Sequence, residues 1–237
     1  MDSHSLERIV PDELEDGATT GQETLRLHLE RYRFAAAHGV GRCLDLACGV
    51  GYGSDALLSA GTVSEVVGVD IAADAVAYAR TRYGRPGLTF IQGDGMDFSD
   101  QDGFDTIVTL ETLEHLEDPA GQLEHFRGLL RPRGVLVASV PVTPSMDANP
   151  HHLHDFTPRT FRRLVQSLGL REESHLLQVQ PFNPLRILSG TEARASGVRQ
   201  GLVSHYARHP KQLLRRLRAL ARHGFTNRYL TLVVRAP

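Results

Sequence analysis

The chain predicts an α/β fold in which a doubly wound sheet of seven strands carries helices on both faces. Three observations lead there. Short apolar runs rich in Val, Leu and Ile recur between helical stretches from residue 42 to 140. The first, Leu44-Asp45-Leu46-Ala47, enters the glycine turn Cys48-Gly49-Val50-Gly51-Tyr52-Gly53. The second ends in an acid, Asp70, nineteen positions after Gly51. Strands and helices alternating at this spacing make a parallel sheet whose ligands sit at the carboxyl ends of the strands.

Residues 1–39 are polar apart from an amphipathic stretch, Glu23 to Ala37, expected as a helical cap ending at Gly39. Strands at 42–47, 64–70, 88–92, 104–110 and 134–140 then alternate with helices at 54–60, 73–83 and 119–130. Pro141, Pro144, Asn149 and Pro150 mark a loop over the strand ends, and a helix at 158–168 follows. Strands near 173–180 and 228–235 complete the seven. Between them lies an insert of some 45 residues that is expected to carry its own helices. Its clearest helix runs from Pro210 to His223, with Leu213, Leu214, Leu217 and Leu220 in a stripe and Gly224 just past its end. That stripe is expected to pack on the body as a lid, or to form a homodimer contact. The whole chain, 1–237, reads as one domain: a cap to 39, a cofactor-binding core at 40–145 and an acceptor side at 146–237.

With 237 residues and 41% hydrophobic content, a single well-formed core is affordable. There is no apolar run near 18 residues and no signal-peptide pattern, so a cytoplasmic protein is expected. Cys43 and Cys48 lie on an extended strand and its following loop, too far apart for a disulfide. The net charge of −2 hides an asymmetry: residues 181–237 carry eleven Lys and Arg against one acid, Glu192. A basic tail admits nucleic acid or an anionic membrane as partner. The reading taken is a solvated face or an intramolecular partner for the acidic body, with neither nucleic acid nor stable membrane insertion.

The glycine turn points to a nucleotide-like ligand. Gly49 and Gly51 remove side chains that would block a ligand lying on the backbone, and a helix beginning near Ser54 aims free N–H groups at it. Asp70 is placed to accept hydrogen bonds from a ribose. Asp94 can accept from an exocyclic amine, and Met96 can lie on an adenine face. A nicotinamide dinucleotide fits less well: its fingerprint wants glycine where Ser54 stands, and Asp45 and Asp94 do not help a pyrophosphate. A cationic sulfonium nucleoside suits the acids better, which favours S-adenosylmethionine.

From roughly Glu30 to Thr160 the chain resembles class I S-adenosylmethionine-dependent methyltransferases. Asp45, Gly49 and Gly51 match the first motif, Asp70 the ribose acid, and Asp94-Gly95-Met96 the adenine-contacting segment. The resemblance implies a Rossmann-like sheet, and it adds Tyr32, Ile71 and Glu111 as cofactor contacts. Upstream, Glu7-Arg8-Ile9-Val10-Pro11 and Glu30-Arg31-Tyr32-Arg33-Phe34 resemble a bacterial subgroup associated with glycan and natural-product tailoring.

Just past the fourth strand stands Glu111-Thr112-Leu113-Glu114-His115-Leu116. On a helix, positions 111, 114 and 115 would share one face and make a half-site for Mg²⁺ or Mn²⁺. A further ligand is available from Asn149-Pro150-His151-His152-Leu153-His154-Asp155-Phe156. The Glu-x-x-Glu-His pattern is similar to that of ubiquinone-pathway O-methyltransferases and of small-RNA 3′-terminal 2′-O-methyltransferases. That likeness implies Glu111, Glu114, His115 and His154 as metal ligands, with Phe156 as the accompanying aromatic. Without a metal, His115 or His154 is the candidate base. The expected function is methyl transfer to a hydroxyl of a small molecule: a sugar, a natural product or a quinone or phenol precursor. RNA 2′-O-methylation is the second reading and a non-catalytic cofactor-binding or membrane-associated scaffold the third.

Overall fold

A computed structural model of the chain describes residues 9–14, 19–183, 199 and 201–235. Seven strands form one sheet: β1 (Gly41–Leu46), β2 (Val63–Asp70), β3 (Leu88–Gln92), β4 (Phe104–Leu110), β5 (Leu130–Pro141), β6 (Arg171–Pro181) and β7 (Thr226–Arg235). Their spatial order is β3-β2-β1-β4-β5-β7-β6. The first five are parallel, and β7 inserts antiparallel between β5 and β6. The order reverses between β1 and β4, so the crevice at their carboxyl ends is the topological switch point where such sheets take ligands.

The side-chain alternation of β1 shows how the sheet is built. Leu44 and Leu46 turn to one face and join Leu123 and Phe126 of α4 (Pro119–Leu129) and Phe161 and Val165 of α5 (Pro158–Ser167). Cys43 turns to the other and joins Tyr32, Ala35 and Ala36 of α1 (Thr19–His38), Leu57 of α2 (Tyr52–Ser59), and Val76 and Ala79 of α3 (Ala73–Tyr83). Both faces are covered, which is why the central strands read as continuous apolar runs. Local chemistry sets the helix starts. Asp118 accepts from Gly121 N at 2.9 Å ahead of Pro119, and Thr157 and Thr160 form a reciprocal cap ahead of Pro158.

The expected elements are present, with shifts of a few residues. The cap helix begins at Thr19 and α2 at Tyr52, while β5 runs longer than 134–140. One expectation fails. The segment from Glu111 to Leu116 is not an α-helix: Glu111 has φ of 53° and only Leu113–His115 form a single 3₁₀ turn. A left-handed residue at its head breaks the helical repeat that would have aligned Glu111 with Glu114 and His115.

Within the insert, residues 184–198 and 200, including Glu192, lie outside the described residues. The remainder forms α6 (Leu202–Arg208) and α7 (Pro210–His223). The leucine stripe of α7 is split: Leu213 and Leu220 are half-buried, while Leu214 and Leu217 are exposed. A single buried acid ties these helices to the loop after β5. Asp147 accepts from Arg216 Nε at 2.9 Å and Nη2 at 2.5 Å, and from the Tyr206 hydroxyl at 2.6 Å. Burial works to raise its pKa, but the Arg216 guanidinium and the Tyr206 hydroxyl outweigh it and hold the carboxyl below its ordinary value. Removing one partner strands the other charge. Arg216→Ala should therefore raise amide exchange across residues 202–223 while leaving β1, β2 and β4 protected, as read by hydrogen-exchange mass spectrometry.

Candidate functional site

A crevice opens where β1 ends. Ala47 and Gly49 both have φ of 57° and Gly51 has φ of 88°, so three left-handed residues in five fold the chain back over the strand end. The two glycines do different work. A Cβ on Gly49 would meet nothing within 4 Å, leaving the backbone open to a ligand. A Cβ on Gly51 would lie 2.8 Å from Ala79 and from the Phe90 ring, so that glycine makes room for the protein's own core and corrects the expectation that it clears a ligand. Gly53, which sequence reasoning did not single out, is required because any side chain there would overlap the Tyr32 ring.

Asp45 lies wholly buried under this turn. It accepts from Ser54 Oγ at 2.6 Å and from the Tyr32 hydroxyl at 3.3 Å, joining β1, α2 and α1. Burial pushes its carboxyl up to about 7, against the two hydroxyl donors and with the Asp70 charge adding to the rise. Tyr32 and Asp45 thus brace the turn from beneath. Asp70, at the end of β2, accepts from Gly49 N at 2.8 Å and from Ala72 N at 2.9 Å, fixing the turn against the neighbouring strand. Ile71 beyond it is exposed, as is Met96 beyond β3. Asp94 is exposed, accepts from Met96 N at 2.9 Å and so shapes its own turn, while Gly95 offers its carbonyl to Gln122 at 3.1 Å. Asp70, Ile71, Asp94 and Met96 therefore stand at adjacent strand ends, with two acceptors and two apolar side chains.

At the end of β4, Glu111 takes a hydrogen bond from Ser139 Oγ at 2.7 Å and faces Arg31 Nη1 at 3.2 Å. Arg31 is only 1% exposed, and its Nε and Nη1 have no hydrogen-bond partner among the described residues. Its guanidinium also sits 4.8 Å from the centre of the Tyr229 ring, on the β7 residue paired with Pro141 at the end of β5. Glu111 supplies one anion to this buried guanidinium, and the donors it leaves unused suit a second acceptor group. Sequence reasoning missed Arg31. Its signal was a basic residue one turn after Leu27 and one turn before Ala35, on the buried face of the cap helix.

The histidines form the rim. His115 Nδ1 lies 3.2 Å from the His151 carbonyl, which can only accept, so Nδ1 is the donor there and the neutral ring carries its lone pair on Nε2. The His115 and His152 rings meet edge to face at 4.7 Å, and His152 Nδ1 lies 2.7 Å from Ser145 Oγ. One ligating atom each from Glu114, His115 and His152 lies within 4.8 Å of the others, so these three could hold a small cation. Of the four expected metal ligands, Glu114 and His115 come together. Glu111 is turned to Arg31 and Ser139, and His154 Nε2 donates to the Leu116 carbonyl at 2.9 Å. The lost helical repeat explains the first departure. The second follows from the loop's path: Leu153 N and His154 N both donate to the Glu114 carbonyl, at 2.7 and 3.3 Å, and present His152 to the cluster instead.

The Asp45 geometry has a pH signature. A raised carboxyl pKa in the folded state contributes stability that is complete below the unfolded value near 3.8 and is lost as pH climbs through about 7. Without ligand, wild-type stability relative to Asp45→Asn should therefore fall as pH rises across that window, by up to about 4 kcal/mol. Thermal melts of both proteins over the pH series read it.

Comparison with known proteins agrees with this geometry. Residues 44–138 match a protein family described as a methyltransferase domain. A probable S-adenosylmethionine-dependent methyltransferase of Mycolicibacterium smegmatis is 31% identical over 159 residues, covering 64% of this chain and 60% of the relative. The chain thus spans about three-fifths of that relative's length. A ubiquinone biosynthesis O-methyltransferase of Actinobacillus pleuropneumoniae is 32% identical over 108 residues, 41% of this chain and 44% of the relative. Among solved structures, the N-methyltransferase NodS of Bradyrhizobium japonicum with S-adenosyl-L-homocysteine superposes with a TM-score of 0.63 at 18% identity, covering 99% of this chain and 95% of that one. Residues 44–138 are thus similar to a methyltransferase domain, and the sheet that contains them has the fold of the solved methyltransferase structures.

Proposed function

We propose that this protein transfers a methyl group from S-adenosylmethionine to a hydroxyl of a small molecule, with His115 as the base. The observation carrying the choice of hydroxyl is the orientation of His115: Nδ1 faces the His151 carbonyl at 3.2 Å, so in the neutral ring Nε2 is the basic nitrogen. An alcohol needs such a base; an amine needs it less. The partial match to a ubiquinone biosynthesis O-methyltransferase lends the same reading modest support.

When bound, S-adenosylmethionine supplies an activated methyl on a cationic sulfur. The chain must then hold a nucleophile in line and take its proton. In this reading Asp70 accepts from the ribose hydroxyls, Ile71 and Met96 flank the adenine, and Asp94 accepts from its amine. Gly49 leaves backbone space for the amino-acid part, whose carboxylate completes Arg31. His115 Nε2 would take the hydroxyl proton as the acceptor oxygen receives the methyl group. His154, held on the Leu116 carbonyl, positions the loop that carries His152.

A metal-assisted version is favoured by one further observation, the convergence of Glu114, His115 and His152. Two imidazoles and one carboxylate suit Mn²⁺ or another transition ion better than Mg²⁺. Such an ion would lower the hydroxyl pKa in place of a base. Chelation separates the versions: turnover is unchanged by EDTA if His115 acts as a base, and is lost and restored by Mn²⁺ if the cluster holds a cation.

Two outcomes test the donor and acceptor halves separately. Arg31→Met should weaken S-adenosylhomocysteine binding by about ten- to a hundredfold, the scale of a charge-assisted hydrogen bond. The same change should leave 5′-methylthioadenosine, which lacks the carboxylate, unaffected; calorimetry reads both. His115→Ala should lower turnover of a hydroxylated acceptor found by a screen for +14 products by about 10²–10⁴-fold while donor affinity holds. Full turnover in that variant removes the assigned base.

A further inference from the structure

Helix α7 presents two adjoining stripes to solvent. Lys211, Arg215, Arg218 and Arg222 recur at spacings of four, three and four, and all are exposed, with Arg215 also 3.7 Å from Asp155. Beside them Leu214, Leu217 and Ala221 recur at three and four and are exposed as well, with Leu214 47% and Leu217 52% accessible. The opposite side, Gln212, Leu213, Arg216, Ala219 and Leu220, is half-buried, and Arg216 is clamped by buried Asp147. The helix is therefore fixed in orientation, with a mixed apolar and cationic surface outward. Phe225, immediately after it, is 50% exposed. Residues 201–235 contain no acid at all.

These features together describe an interfacial helix. Large apolar side chains set beside long cationic ones let a helix lie in the plane of a bilayer, leucines among the upper acyl chains and guanidinium groups at the phosphates. A solvated face explains the arginines but not the exposed leucines, and a lid explains the leucines only if they were covered. No described helix is long and apolar enough to cross a membrane, which fits a surface contact rather than a span. We infer that Lys211, Leu214, Arg215, Leu217, Arg218 and Arg222 form a docking surface for an anionic phospholipid bilayer. This surface is separate from the donor crevice and does not depend on the proposed chemistry.

The test uses the full chain and vesicles of phosphatidylcholine with or without phosphatidylglycerol. The chain has no tryptophan, so Leu217→Trp supplies a single indole reporter at an exposed position. The expected result is co-flotation with the anionic vesicles only, weakened by salt, with a blue shift of the indole emission. Arg218→Glu with Arg222→Glu should reduce partitioning by about tenfold or more, and Leu214→Ser with Leu217→Ser should reduce it comparably. Both pairs are solvent-facing, and an unchanged thermal melt checks their fold. Three results overturn the inference: no flotation with anionic vesicles, flotation indifferent to the leucines, or salt-sensitive binding of RNA or of a second copy through this face without vesicle binding.

Discussion

A carboxyl group held by two hydroxyls, with no cation beside it among the described residues, governs the end of the molecule where β1 meets its glycine turn. Asp45 sits one residue from the end of β1, wholly buried, and shares its oxygens between Ser54 on α2 and Tyr32 on α1. That arrangement fixes the angle at which α2 leaves the glycine turn and draws the cap helix down over it. Gly53 lets the Tyr32 ring approach, and Gly51 lets Phe90 and Ala79 close in from beneath. With the underside held this way, the upper side of the turn at Gly49 stays bare, its amide tied to Asp70. The crevice is thus a consequence of packing below it as much as of chemistry above it.

The acceptor end follows a different logic. Several short clasps hold it: Arg31 on Glu111, the 150–154 loop on the Glu114 carbonyl, Asp155 on the backbone of Ser145 and Met146, and buried Asp147 on Arg216. Three of the four involve the loop after β5, and all but the Asp155 clasp join segments distant in sequence. A rim assembled from such clasps can vary its contacts without disturbing the sheet, which is how one fold serves many acceptors.

The sheet and its helices were legible in the sequence because both are periodic. A buried parallel strand announces itself as an apolar run, and a glycine turn followed by an acid at the right distance fixes two strand ends. What escaped depended on single backbone angles or on tertiary approach. The left-handed Glu111 broke a helix that the residue pattern allowed, and so separated Glu111 from Glu114 and His115. Nothing in the spacing of three histidines distinguishes His152, which reaches the cluster, from His154, which turns to the Leu116 carbonyl. Arg31 hid within a helix of mixed polarity, because a buried arginine looks like a surface one until its neighbours are known. Gly51 was read as ligand space when its absent side chain serves the core.

The central claim is that the space above Gly49, bounded by Asp70 and Asp94, holds the adenosine of a methyl donor. Isothermal titration of the purified chain with S-adenosylhomocysteine tests it most directly. Saturable one-site heat that disappears in Asp70→Ala, with the variant still folded, is the predicted result. No heat with that ligand, alongside clean saturation by NADH, would contradict it.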